Sequence, residues 1–263
     1  MSFVDRPGCR IYYEVMGDDP ALPALVLVRG LGRSGRHWSP LVPELLPAFR
    51  IVLIDNRGVG RSDTPRPPYT CPQLADDVVA VMDAAGLARA HVFGMSLGGM
   101  IAQHVALLHR DRVERLVLGC TSPGGRRAQQ PSLKTRLALL RSALDTPERS
   151  IDRLLPILVA EVTPELREQL YELARLEPVR RRGLFGQLAA VVRHDVYDRL
   201  ADIAHPTLII TGDADALIPA GNSRLLAERI PRATLAILPG ARHDFTTDRP
   251  GEVGRLLRDF LLG

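Results

Sequence analysis

A serine with a glycine two residues away on each side is the first place in this chain where residue type and spacing point to chemistry. The stretch is Gly94-Met95-Ser96-Leu97-Gly98-Gly99. The apolar run His91 to Phe93 before it reads as a short buried strand, and Met100 to His109 after it reads as a helix. A strand, a tight turn and a helix in that order lift a serine hydroxyl off the end of a sheet, provided the flanking positions lack a Cβ. The helix N-terminus also gathers unpaired N–H groups beside Ser96, where negative charge could develop. A Gly-rich connection with an incidental serine would look the same, so the rest of the chain must decide.

A serine hydroxyl attacks poorly at neutral pH unless a base lies within reach and the base is itself oriented. Of seven histidines, His104 and His109 fall on the helix after Ser96 and point along it, while His91 begins the strand before it. His37, His194 and His205 sit beside helices or strand starts and read as surface or packing residues. His243 differs. It follows a late strand and the turn Pro239-Gly240-Ala241-Arg242, which brings it to the sheet edge that carries Ser96. For the orienting acid, Asp213 and Asp215 both lie in the loop after a buried strand, and spacing alone leaves both open. An oxyanion site needs backbone N–H groups fixed in place. Leu97 supplies one, and Leu31, in the bulk-free loop Arg29-Gly30-Leu31-Gly32, is the natural source of the other.

The elements that would position these groups follow from hydrophobic periodicity. Continuous apolar runs at 24–28, 51–54, 113–118 and 207–211 mark strands buried on both faces of a parallel sheet. Residues 9–15 alternate and read as an edge strand. Helices are expected at 38–46, 71–85, 221–229 and 252–262, with a further strand at 235–238. This alternation predicts an α/β fold on a mostly parallel sheet with helices on both faces, whose ligands sit beyond the carboxyl ends of the strands. Between 122 and 200 the rhythm changes to helices alone, at 133–144, 147–160, 164–176 and 179–192. The expected organisation is a core of 1–121 and 201–263 with a helical lid at 122–200.

Composition narrows the classes. The chain has 263 residues, 46% hydrophobic and 24% charged, ordinary for a folded domain of this size. No signal-peptide layout and no membrane-length apolar stretch are visible, so cytoplasm is the expected location and no membrane partner is expected. The pI near 9.3 invites a nucleic-acid reading. Of the 34 Lys/Arg and 30 Asp/Glu, however, 14 and 10 fall in residues 123–200, and the other 20 and 20 balance. No basic block interleaves with aromatics, so nucleic acid is not an expected partner. Cys9, Cys71 and Cys120 are scattered and odd in number, and their spacing indicates neither a disulfide framework nor a zinc site.

Taken together, the chain resembles the α/β-hydrolase superfamily over nearly its whole length. The branch it resembles carries a helical cap and includes 3-oxoadipate enol-lactonase-like hydrolases, small esterases and cofactor-free haloperoxidases. The matching stretches are the Ser96 turn, Asp55-Asn56-Arg57-Gly58-Val59-Gly60-Arg61-Ser62-Asp63, Gly212-x-x-Asp215-x-x-x-Pro219 and Gly240-x-x-His243. The resemblance selects Asp215 over Asp213 and implies a Ser96–His243–Asp215 triad that needs no cofactor and no metal. It implies a small acyl substrate, an ester or lactone, cleaved through an acyl-enzyme. Acyl transfer, perhydrolysis or carbon–carbon cleavage of a diketone would use the same triad, and a receptor-like protein would carry it as a vestige. Relatives usually have His-Gly where this chain has Arg29-Gly30. Arg29 is expected to brace the oxyanion loop through hydrogen bonds to carbonyls, with a place in the substrate pocket as the sharper alternative. Trp38 is a second candidate for the pocket wall, or a core residue. Oligomeric state is left open.

Overall fold

Strands rich in Val, Ile and Leu bury both faces, and helices must therefore cover both sides of the sheet they form. The computed structural model, which describes residues 2–142 and 145–263, has this arrangement. Eight strands form one sheet in the order β1-β2-β4-β3-β5-β6-β7-β8. In chain order they are β1 (Ser2–Arg6), β2 (Cys9–Met16), β3 (Ala24–Val28), β4 (Arg50–Ile54), β5 (Ala90–Met95), β6 (Val113–Gly119), β7 (Thr207–Gly212) and β8 (Ala233–Leu238). From β4 to β8 every pairing is parallel; β1 and β2 are antiparallel additions at one side.

The residues expected to form the edge strand instead form β2, one place in from the edge. The sheet ends at β1, where Ser2 to Arg6 alternates inward and outward and returns through Pro7-Gly8, with Gly8 at φ +66°. The helix expected at 38–46 is shorter as well. Pro40 and Pro43 restrict it to a 3-10 turn at Gly35–Trp38 and one turn of helix, α1 (Val42–Leu45). The remaining core helices are α2 (Cys71–Ala84), α3 (Leu97–Leu108), α8 (Gly221–Arg229), α9 (Phe245–Asp248) and α10 (Pro250–Leu262).

Alternate residues of each strand feed two cores. Val26, Val28, Val52, Ile54 and Val92 pack on the side of α2, α3 and α8. Leu25, Leu27, Ile51, Leu53 and Phe93 pack on the side of Trp38, α1 and α10. The chain runs from β3 outward to β4 and then returns to β5 on the other flank of β3. The connections after β3 and β5 therefore leave toward opposite flanks of the sheet, the kind of switch point beside which such folds bind ligands.

Between β6 and β7 lie α4 (Leu133–Ser142), α5 (Pro147–Leu158), α6 (Pro164–Leu176) and α7 (Arg181–Arg193). Thr146 and Thr163 cap α5 and α6 through their hydroxyls, each followed by proline in the first turn. The end of the first helix expected here, at 143–144, lies outside the described residues. Among the described residues, no helix is long and apolar enough to cross a membrane.

Candidate active site

Ser96 stands between β5 and α3 with φ 58° and ψ −120°, a conformation that costs a non-glycine residue on the order of 1–3 kcal/mol and persists only where the surroundings enforce it. Here they do. The Ser96 N–H donates to the Gly119 carbonyl at 2.8 Å, and Thr121 Oγ1 donates to the Ser96 carbonyl at 2.7 Å. The glycines make room for the turn. A Cβ at Gly98 would collide with the Val28 carbonyl, and one at Gly30 would stand 3.0 Å from the Ser96 Cβ and 3.4 Å from its Oγ. The β3 loop thus lies directly against the serine side chain.

That loop is held from three directions. Asn56 Nδ2 donates to the Arg29 carbonyl at 3.1 Å, Gly32 N–H donates to Gln187 Oε1 at 2.9 Å, and Arg33 N–H closes a turn on the Gly30 carbonyl. Gln187 comes from α7, is fully buried, and donates its Nε2 to the Arg57 carbonyl at 3.0 Å. The N–H groups of Leu31 and Leu97, between these anchors and at the start of α3, have no hydrogen-bond acceptor among the described residues.

His243 and Asp215 meet as a buried pair, with His243 Nδ1 2.8 Å from Asp215 Oδ2. Asp215 Oδ1 accepts the N–H groups of Leu217 at 2.8 Å and Ile218 at 2.9 Å, which fixes the carboxylate. Asp213 takes a different part: it accepts the Gly240 N–H at 2.6 Å, on the surface. Because Asp215 can only accept, the proton of neutral His243 sits on Nδ1, and Nε2 carries the lone pair. Burial disfavours the charged ring, but the Asp215 carboxylate and, after it, Cys120 together outweigh burial and hold the His243 pKa well above 6.5. Nε2 lies 3.9 Å from Cys120 Sγ. Ser96 Oγ makes no hydrogen bond with His243 among the described residues; contacts of this kind commonly tighten only when substrate binds.

The structure places both candidates for the pocket wall in buried surroundings, and Arg29 braces through other partners than the carbonyls expected. Trp38 is fully buried in the core cluster, its ring 5.0 Å from that of Phe93, so it fills the core. Arg29 is also buried, and its guanidinium reaches acids and hydroxyls where carbonyls were expected. It pairs with Asp244 at 2.9 and 3.2 Å, donates to Thr246 Oγ1 at 2.9 Å and lies over the Trp38 ring. The loop carbonyl is braced by Asn56 in its stead. Asp244, Gln187 and Cys120 were not anticipated. Asp244 adjoins His243 in sequence, whereas Gln187 and Cys120 carry no local pattern, since only the folded chain brings them near the site.

The family model described as alpha/beta hydrolase fold matches residues 23–250. The chain belongs to the α/β-hydrolase family. A protein of Caulobacter strain K31, provisionally named carbamate hydrolase RutD, is 35% identical over 270 residues, covering 96% of each chain. Among solved structures, a hydrolase from Pseudomonas aeruginosa PA01 aligns at TM-score 0.86 with 31% identity, over 100% of this chain and 98% of that one. The enol-lactonase from Burkholderia xenovorans LB400 aligns at TM-score 0.86 with 27% identity over 100% of both. This α/β-hydrolase therefore aligns with both solved structures over the whole of its length.

Proposed function

We propose that the protein hydrolyses the acyl bond of a small ester or lactone through an acyl-enzyme formed on Ser96. The observation that carries this reading is the buried His243–Asp215 pair at 2.8 Å, set at the same sheet edge as a strained serine. The family membership supports hydrolysis, and the enol-lactonase neighbour supports a lactone among the substrates.

In this mechanism His243 Nε2 takes the Ser96 proton as Oγ bonds to the acyl carbon. The carbonyl oxygen becomes an oxyanion that receives the Leu31 and Leu97 N–H groups. The tetrahedral intermediate collapses as His243 returns the proton to the leaving oxygen, and water then repeats the sequence on the acyl-enzyme, releasing acid and free serine. Asp215 keeps the ring oriented and stabilises its charged form. The helices of residues 122–200 act as a lid over this edge, with α7 holding the oxyanion loop through Gln187. A carbamate, the substrate in the name of the Caulobacter relative, presents the same kind of carbonyl and belongs in the same screen. Three buried free thiols suit a reducing cytoplasm.

The test is intact-mass measurement after treatment with a fluorophosphonate, followed by turnover of ester, lactone and carbamate panels. Wild type should gain one adduct and Ser96→Ala none. A folded wild-type protein that takes no adduct and turns over no acyl substrate refutes the proposal.

A further inference from the structure

Away from Ser96, the fold brings together three side chains that share no sequence motif. Cys71 opens α2, His104 lies within α3, and His194 follows the last residue of α7. All three are buried, and their ligand atoms lie within 4.8 Å of one another. We propose that Cys71, His104 and His194 form a binding site for a zinc-type divalent cation, tying the inserted helices to the core where the chain returns to it.

The ligand set and its geometry support this. His194 Nε2 lies 3.1 Å from the Ser122 carbonyl, which can only accept, so the ring proton sits on Nε2 and Nδ1 presents a lone pair. A carbonyl on the far nitrogen is the usual way a metal-binding imidazole is oriented. That Nδ1 is 3.3 Å from His104 Nε2. Two nitrogens about 2.0–2.1 Å from one tetrahedral ion stand about 3.3 Å apart. Ligation through His104 Nε2 places that ring's proton on Nδ1, which has no hydrogen-bond partner within the protein.

Cys71 supplies the sulfur. Its Sγ contacts the Ala190 carbonyl at 3.6 Å, and burial pushes its thiol up to about 12, so it is a neutral thiol whose proton the metal must displace. Binding would convert one thiol and two neutral imidazoles, with the dication, into a complex of net charge +1 and one released proton. The surrounding backbone is fixed: Gly125 N–H donates to the His194 carbonyl at 3.0 Å and Val196 N–H to the Pro123 carbonyl at 2.9 Å. The residues are 33 and 90 positions apart in the chain, which is why spacing alone shows no zinc site.

The experiment titrates the reduced, full-length protein with Co2+ alone. Wild type should take up one equivalent with a thiolate-to-cobalt charge-transfer band and intense four-coordinate ligand-field bands, lose both to Zn2+, and show a Tm that rises with metal concentration. Cys71→Ala should lose the charge-transfer band and bind at least about tenfold more weakly, since even an outer partner of a ligand is worth that much. Cys120→Ala, which removes the thiol facing His243, should keep the band. As a check that needs no variant, cobalt-bound wild type should show two hyperfine-shifted exchangeable imidazole protons. Absence of a thiolate band in wild type overturns the proposal, as does a band that survives Cys71→Ala and vanishes in Cys120→Ala.

Discussion

Replacing Arg29 by methionine keeps most of the side-chain volume and removes the cation from a buried pair. Arg29 is 3% exposed and Asp244 8% exposed, and the guanidinium places two hydrogen bonds on the carboxylate. Breaking a buried pair from one side typically costs about 3–5 kcal/mol, mostly because the remaining charge is stranded. With a slope of about 2–3 kcal/mol per molar urea, the unfolding midpoint should fall by roughly 1–2.5 M. Arg29→Met combined with Asp244→Leu should recover much of the loss, because two apolar groups of similar shape leave no charge behind.

The pH dependence provides a second check. Burial pushes the Asp244 carboxyl up, but Arg29, Arg33 and the hydrogen bonds from Arg29 and Thr246 bring it well below 3.8. In wild type this contribution to stability is complete above the unfolded value near 3.8 and is lost only as pH falls through the lowered one. In Arg29→Met, burial acts against less opposition and the carboxyl pKa rises, so protonation relieves the stranded charge. The stability gap between the two proteins should therefore narrow as pH falls from 7 toward 4. Urea titrations monitored by far-UV circular dichroism at several pH values measure both effects. A loss below about 1 kcal/mol at pH 7, the range of a surface pair, would refute the reasoning.

Two further outcomes follow from the site. Because the His243 pKa is held above 6.5 by Asp215, kcat/KM should rise with pH through an acid limb above 6.5, where the ring loses its proton and can act as base. Asp215→Asn should move that limb downward and lower kcat about 10^4-fold; a limb unmoved by the substitution would contradict the assignment. Gln187→Leu removes the acceptor of the Gly32 N–H and the donor to the Arg57 carbonyl, and should lower kcat about 10- to 100-fold with little change in KM. Full loss of an oxyanion donor costs about 10^2–10^3, and here the Leu31 amide is displaced but not deleted. A change confined to KM would show that Gln187 shapes binding alone.

The parallel strands were legible because both their faces are buried, which writes continuous apolar runs into the sequence. The helices at 164–176 and 221–229 were equally clear, bounded by Thr163-Pro164 and by Gly221 to Arg229. The hairpin strand β1 was not, since a five-residue strand alternating between partly buried and exposed positions carries little hydrophobic signal. Ser96 and His243 stood out as candidates because each follows a strand that ends at the carboxyl edge of the sheet. Asp215 and Asp213 could not be separated by spacing, since both follow β7; the family resemblance selected Asp215, and the fold turns it to His243 and Asp213 to the Gly240 N–H. The partners of Arg29 were hidden for a related reason. Its partner is 215 residues away in the chain, and no local pattern reports a contact of that range.

The grip of α7 on the core bears on how substrate enters. Gly183 lies so close to the Gly58 backbone, and Gly186 to the Tyr69 ring, that a Cβ at either would overlap its neighbour. Among the described residues, α6 buries no side chain fully and α5 buries only Leu155. Free energy of local opening scales with such buried contact. In the proposed lid, α7 is a doorpost that holds the loop after β3, and α6, which buries no side chain fully, is the door. The end of α5 is a hinge, pinned beside His243 by Arg242 on the Pro156 and Val159 carbonyls and by the Asp244 N–H on the Leu158 carbonyl. Under selection for a new substrate, the door can change shape and sequence while the doorpost, tied to the chemistry, stays as it is.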